Sequence, residues 1–291
     1  MKGIILAAGT GSRLFPITYI SSKQLLPVYN KPMIYYPLST LILADIRDIL
    51  IICSREFLNS FKSLLGDGSR LGLNICYKIQ ESPDGIAQSF QIGKEFIGDD
   101  DVCLILGDNL FYGHRIPDIL LESKKKIKNY GGGIVFGYNV SNPENYGVAE
   151  IEDGKIINIV EKPKNPKSDC AVVGLYMYDN SIIEISNNIK PSSRGELEIT
   201  SVNQEYIKKN SLSITILGRG SAWFDTGSVE DLFLASSFVR MIENRQGLKI
   251  SCPEEIAYYM GYITKNELLL ISKELSHTEY GQYIKKIANH E

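Results

Sequence analysis

The chain opens with an apolar run that ends in glycines and an arginine, Gly3-Ile4-Ile5-Leu6-Ala7-Ala8-Gly9-Thr10-Gly11-Ser12-Arg13-Leu14. Ile4 to Ala8 is apolar at every position rather than at alternate ones, the pattern of a parallel strand covered on both faces. Gly9 and Gly11 then let backbone N–H groups approach an anion with no Cβ in the way, and Arg13 adds a forked cation at the mouth of the turn. A buried strand delivering a phosphate-binding loop is the reading that uses all of these residues. Other glycine turns compete with it. A dinucleotide-binding turn requires Gly-x-Gly-x-x-Gly, but Leu14 stands at the third position and no acidic residue closes a following strand about 20 residues on. A P-loop requires Gly-x4-Gly-Lys-Ser/Thr, which is absent. An ordinary glycine turn after a strand stays open on these residues alone.

Strand-like runs at 3–8, 48–53, 74–79 and 102–106 alternate with amphipathic stretches at 33–45, 56–65 and 86–97. Such alternation predicts successive βαβ units and a mostly parallel central sheet, with ligands beyond the carboxyl ends of the strands. Val148 to Val160 reads as a hairpin around Asp153-Gly154, whose residues tolerate positive φ. A strand at Ala171–Tyr178 follows, then helices near 179–189 and 196–209. Ser228 is placed to cap a helix running towards Arg245, with Glu230 and Asp231 in its first turn. From about 252 the spacing is helical. The division expected is an α/β domain over 1–250 and a small helical segment over 251–291, used for oligomer or effector contact.

At 291 residues the chain can bury a large core, and its net charge of −3 leaves no broad basic field for nucleic acid. The five cysteines, at 53, 76, 103, 170 and 252, have no paired or metal-ligand spacing and read as reduced core thiols of a cytoplasmic protein. The apolar stretch after Met1-Lys2 is too short for a signal peptide, and no segment has the length of a membrane span.

Two acidic sites compete for a metal. Asp99-Asp100-Asp101 contains Asp-x-Asp, but it precedes the run Val102–Leu106 and so belongs at the wrong end of that strand, as a solvated turn. Asp108 follows the strand directly, between Gly107 and Asn109, where its carboxylate can project into the ligand crevice. Asp225 lies just before a helix, which it could simply cap. Glu161 and Lys162 end the second hairpin strand, where neighbouring side chains face opposite ways, so one turns inward if the other faces solvent.

Gly9-Thr-Gly-Ser-Arg13 together with Lys23-Gln-Leu-Leu-Pro27 resembles the nucleotide-binding motif of sugar-1-phosphate nucleotidylyltransferases. Further motifs follow in order: Gly66-Asp-Gly-Ser69, Gln80 to Gln88, Leu106-Gly-Asp-Asn109, Tyr146-Gly-Val148, Glu161-Lys-Pro163, Arg194 to Thr200 and Trp223-Phe-Asp-Thr-Gly227. Together they resemble the glucose-1-phosphate thymidylyltransferase branch of that family over essentially the whole chain. Ala8 and Ser12 depart mildly, standing where the branch usually has glycine and threonine.

The resemblance implies a Rossmann-like nucleotide-diphospho-sugar transferase fold and the reaction of dTTP with α-D-glucose 1-phosphate to give dTDP-glucose and pyrophosphate. It implies nucleotide contacts from Leu6, Gly9, Gly11, Ser12, Arg13, Gln24, Gln80, Gly85 and Asp108. Arg13, Lys23 and Lys162 would be catalytic, pyrophosphate leaving towards Arg13. Mg²⁺ would be held between Asp108 and Asp225. The sugar phosphate would meet Tyr146, Gly147, Glu161, Lys162, Val173 and Arg194, with Trp223 as a wall. Glutamine amides at 24 and 80 can match a pyrimidine imide edge. No general base is needed, because a sugar phosphate with a second pKa near ~6 is largely dianionic at neutral pH, so His114, His277 and His290 have no assigned role.

Three rivals remain: a uridylyltransferase on the same scaffold, a nucleotide-sugar glycosyltransferase, and a non-catalytic sugar-nucleotide sensor. The second lacks a correctly placed Asp-x-Asp, and the third leaves the triphosphate, metal and sugar-phosphate residues without a use. The resemblance also implies a homotetramer, a place in dTDP-rhamnose and surface-polysaccharide biosynthesis, and a second site for a dTDP-sugar effector. That site would involve Arg115, Ser251, Glu255, Ile256 and Tyr259; relatives often carry arginine at the position of Tyr259 and an acidic or small residue at that of Arg115.

Overall fold

The computed structural model describes residues 1–192 and 194–289. Its strands are β1 (Lys2–Ala7), β2 (Pro27–Val28), β3 (Lys31–Pro32), β4 (Asp48–Cys53), β5 (Asn74–Ile79), β6 (Val102–Leu106), β7 (Asn109–Tyr112), β8 (Gly133–Asn139), β9 (Gly147–Glu152), β10 (Lys155–Glu161), β11 (Cys170–Tyr178), β12 (Leu212–Ile216) and β13 (Ala222–Asp225). Nine of them form one sheet in the order β10-β9-β11-β6-β1-β4-β5, with β8 pairing both β11 and β12. β5, β4, β1 and β6 run parallel, as the βαβ alternation predicts.

Both faces of β1, β4 and β6 are covered, which is why they are apolar along almost their whole length, whereas the edge strand β5 has one face open, with Asn74 and Cys76 exposed. Along β1, Ile5 packs on the side of helices Tyr35–Leu43 and Ile116–Tyr130, whereas its neighbour Ile4 packs on the side of helices Gln88–Ile92 and Ile199–Lys208. The stretch expected as one helix over 86–97 is two, Gln88–Ile92 and Lys94–Ile97, divided at Gly93. Helices Pro253–Tyr259, Lys265–Glu274 and Glu279–Asn289 follow the sheet domain, and their apolar residues join the first of the two cores. No helix among the described residues is long and apolar enough to cross a membrane.

β11 creates the crevice. Its later residues pair with β6, Leu175 opposite Ile105 and Tyr178 opposite Val102, while its earlier residue Ala171 pairs with Val148 of β9. The strand therefore changes neighbour just where β6 ends, and the chain leaving β6 enters the space between. The hairpin β9–β10 turns at Asp153 and Gly154, with φ of 49° and 75°, the geometry its sequence requires.

Candidate functional site

Asp108 stands two residues beyond β6, and Asp225 ends β13, which pairs antiparallel with β7 and sets Asp225 opposite Asn109. Thr226 ties the two ends together, its backbone N–H and hydroxyl both donating to the Asp108 carbonyl, at 3.1 and 2.9 Å. The two carboxylates thus share one end of a short ribbon. Burial and the Asp108 charge push the Asp225 carboxyl up to about 6, against the opposing pull of Lys23 and Arg13. Burial also works to raise Asp108, but Lys23 and Asn109 outweigh it and hold that carboxyl below its ordinary value. The Lys23 ammonium, almost fully buried, lies 2.5 Å from Asp108 Oδ2, and Asn109 Nδ2 donates to Oδ1 at 2.9 Å. Asn109 itself is locked from two sides, its Oδ1 accepting from Gly174 N at 3.1 Å and Trp223 Nε1 at 2.6 Å. A Cβ on Gly174 would sit 2.7 Å from that oxygen.

The glycine loop lies beside this pair. Gly9 has open space around it, and Gly11 has a φ of 62°, where a side chain is strained. Ser12 opens a short 3-10 turn that carries Arg13, whose guanidinium lies over Gly227; a Cβ there would be 2.9 Å from Nη2. The Leu6 carbonyl accepts from Gly107 N at 2.9 Å, holding the two strand ends level. Gln24 is buried, with Oε1 accepting from Ser22 at 2.7 Å. Gln80, also buried, donates to the Gly85 carbonyl at 3.3 Å and to Gln88 Oε1 at 2.5 Å. Leu197 fastens this loop, accepting from Ala87 N and donating to the Asp84 carbonyl, so that a Cβ on Gly85 would strike Leu197.

Arg13, Tyr146, Gly147, Glu161, Lys162 and Asp225 line a cavity of about 130 Å³. The alternation expected of Glu161 and Lys162 does not apply: both line it, because Lys162 has a φ of 42° and leaves the strand. The side chain of Val173 is fully buried in the core on the other face, and that of its neighbour Val172 lines the cavity. Arg194 is not among the lining residues either. Its guanidinium pairs with Glu198 at 2.8 Å and Glu196 at 3.1 Å. Trp223 bounds an adjoining cavity of about 270 Å³, which shares Tyr146 and Asp225 with the first. Asp100 pairs with Lys2 and the N-terminal amine at the opposite end of β6 from Asp108, as its place in the sequence requires. His114 and His277 are exposed, and His290 lies outside the described residues.

Four of the five residues expected at a second site, Ser251, Glu255, Ile256 and Tyr259, line one cavity of about 330 Å³. Arg115 is exposed at the start of helix Ile116–Tyr130, between the lining residues Gly113 and Ile116. Sequence reasoning missed Asn109 as the support of Asp108, and Asp84 and Gln88 as supports of Gln80. Gln88 Nε2 donates to Asp84 Oδ2 at 2.8 Å.

A glycine loop on a parallel sheet, facing paired strand-end carboxylates with lysines and an arginine around them, suits the transfer of a phosphorylated group. The chain belongs to the nucleotidyl transferase family, whose model matches residues 2–241. Among its relatives, glucose-1-phosphate thymidylyltransferase of Neisseria meningitidis is 54% identical over 99% of both chains, and that of Mycolicibacterium smegmatis is 51% identical over 100% of both. A solved structure from Bacillus anthracis, described as a glucose-1-phosphate thymidylyltransferase in complex with sucrose, superposes with a TM-score of 0.76 at 42% identity, over 82% of this chain and 95% of that one. UDP-glucose pyrophosphorylase complexed with UDP-glucose gives 0.72 at 27% identity, over 83% and 98%.

Proposed function

We infer that this enzyme joins dTTP and α-D-glucose 1-phosphate to give dTDP-glucose and pyrophosphate. The observation that carries the assignment is identity of 54% over 99% of both chains with a thymidylyltransferase. The arrangement of charges agrees with it. A sugar phosphate that is already dianionic needs no base to become a nucleophile, and no histidine lines the cavity that contains Lys162 and Arg13. The barrier is then the approach of two anions. Lys162 offsets the charge of the incoming phosphate and holds it for in-line attack on the α-phosphorus, while Arg13 and Lys23 serve the triphosphate and the departing pyrophosphate.

Nucleotidyltransferases of this family generally use a divalent metal, and we assign it here to Mg²⁺ between Asp108 and Asp225. The residues fit: two hard carboxylate oxygens share the crevice, and the buried Asp108 takes the Lys23 ammonium as its cationic partner. Asp108 and Asp225 would hold the ion, and phosphate and water oxygens would supply its remaining ligands. The ion supplies charge stabilisation of the transition state. Gln24, Gln80 and Gly85 are assigned to the base, Glu161, Tyr146 and Gly147 to the sugar, and the cavity of Ser251, Glu255, Ile256 and Tyr259 to a dTDP-sugar effector. A cytoplasmic homotetramer supplying dTDP-rhamnose and surface-polysaccharide synthesis, with 1–250 as the catalytic part and 251–291 as its oligomer or effector part, completes the proposal.

A uridylyltransferase is the second reading, favoured by the superposition on UDP-glucose pyrophosphorylase. One thymine methyl is worth only about 0.8 kcal/mol on burial. Pyrophosphate release measured across dTTP, UTP and several sugar 1-phosphates decides between them. The highest kcat/KM is expected for dTTP with glucose 1-phosphate and Mg²⁺. An equal or higher value with UTP would make this a uridylyltransferase.

A further inference from the structure

Helix Ile199–Lys208 turns Ile199, Thr200 and Asn203 towards the cavity that contains Glu161 and Lys162, as one helical face must. Thr200 is used internally, its hydroxyl donating to Glu161 Oε2 at 2.7 Å. Asn203 is not satisfied. It is 1% exposed, its Oδ1 accepts from the Tyr178 hydroxyl at 2.5 Å, and its buried Nδ2 has no partner among the described residues. Reversing the amide would pair Nδ2 with Tyr178 and orphan Oδ1, so one polar atom is left over in either orientation. The ring of Tyr178 cannot move to relieve this, being held edge-on by Phe90 at 5.6 Å and stacked on Tyr206 at 5.1 Å. Among the described residues Ser39 carries the other orphaned buried atom, but it sits in a helix between core residues and lines none of the cavities described above.

An orphaned buried amide is costly, and natural interiors keep few of them. A partner arriving with the substrate removes the cost only when the correct substrate is present. A hydroxyl suits either orientation of the amide, because it both donates and accepts. We propose that Asn203 is a specificity-determining residue for the sugar 1-phosphate, its unpaired amide atom hydrogen-bonding one hydroxyl of the hexose. The proposal rests on the sugar phosphate occupying the cavity of Glu161 and Lys162. Sites built to bond a substrate hydroxyl reject analogues that lack it, because the protein group is then stranded without water.

The test is kcat/KM for glucose 1-phosphate and for its 2-, 3-, 4- and 6-deoxy analogues, in the wild type and in Asn203→Ala, with the KM for dTTP as control. In the wild type one deoxy analogue is expected to carry the penalty set by Asn203, about tenfold for one hydrogen bond. In Asn203→Ala that penalty is expected to shrink to within about threefold, while the other three penalties and the KM for dTTP stay unchanged. Tyr178→Phe removes only the partner of Oδ1 and is expected to retain the wild-type ranking, which a merely structural role for Asn203 would not allow. If Asn203→Ala does not fold, Asn203→Leu keeps the volume and is read in the same way. Four penalties unchanged in the Asn203 variant, alongside a raised KM for glucose 1-phosphate in Lys162→Ala, would overturn the role of Asn203 alone. An unchanged KM in Lys162→Ala would show that the sugar lies elsewhere, and both readings would fall.

Discussion

Burial and the Asp108 carboxylate leave Asp225 with a pKa of about 6, so the free enzyme carries the full charge of the pair only above that pH. With the carboxylates as the cation site, kcat/KM is expected to fall up to tenfold per unit as pH drops below about 6, and a pH–rate profile checks this. Stability runs the other way. Asp225 has a folded pKa above its unfolded one, so its contribution favours folding below the unfolded value of 3.8 and is lost as pH rises to about 6. Asp225→Asn is therefore expected to lower kcat at least about a hundredfold while raising Tm of the ligand-free protein at pH 8. The gain in Tm should vanish by about pH 4. Near-normal turnover, or a Tm gap independent of pH, would remove Asp225 from this role. Asp108→Asn is expected to share the loss of turnover but not the gain, since Asp108 is already held ionised by Lys23. Part of this was readable in advance: an aspartate directly after a buried strand must stand at the ligand end of the sheet. The left-handed backbone of Lys162 and the clamp on Asn109 were not, because a φ of 42° leaves no mark in composition and the clamp reaches 65 and 114 residues along the chain.

Helix Val229–Gln246 is fastened to the β2–β3 turn by an almost fully buried pair, Lys31 Nζ to Glu243 Oε1 at 2.9 Å. Asn30 and the backbone N–H of Ile250 also donate to Glu243, at 2.6 and 2.9 Å. The same turn returns to the active-site segment, Ile34 N donating to the Gln24 carbonyl at 2.9 Å. Removing Lys31 leaves Glu243 only the longer pair with Lys249 at 3.4 Å besides its hydrogen bonds, so Lys31→Met is expected to cost about 3 kcal/mol, the lower end of the range for a broken buried pair, in denaturant unfolding. The double variant Lys31→Met/Glu243→Leu should recover most of it, and failure to do so would mean that the hydrogen bonds rather than the pair hold the helix. Elements were legible where burial was symmetrical. β1, β4 and β6 are apolar beyond their first residues because helices cover both faces, and the Ser228 cap was visible because a serine precedes two acidic residues; its hydroxyl accepts from Asp231 N at 3.1 Å. β8, β12 and β13 were passed over, as was helix Ile116–Tyr130. That helix did carry signals, with Pro117 in its first turn and Gly131 at its end, but it is bracketed by short strands whose pairing partners lie far away in sequence.

At the scale of the molecule, the second cavity borders the segment that anchors the long helix. Lys249, Ile250 and Glu255 line it, while Lys249 and Ile250 also reach Glu243, and Tyr283 from the last helix joins Glu255 to the Lys249 backbone at 2.7 and 3.1 Å. A ligand there would therefore touch residues bonded to the Lys31–Glu243 anchor, and that turn is in contact with the segment carrying Lys23. Tyr259 lines this cavity, and Arg115 is exposed beside it, between the lining residues Gly113 and Ile116. An aromatic at 259 can stack on a base or sugar but offers no bidentate phosphate contact, so a neighbouring arginine would have to supply the charge from another direction. Calorimetric titration of dTDP and of dTDP-glucose into the wild type is expected to give two sites per chain, the second with an affinity changed by Tyr259→Arg and weakened by Arg115→Ala. The active-site affinity should be the same in all three proteins, because neither residue lines the cavities that contain Asp225. One site per chain, unaffected by either substitution, would leave the segment from Ser251 to Tyr259 as an oligomer contact with no ligand of its own.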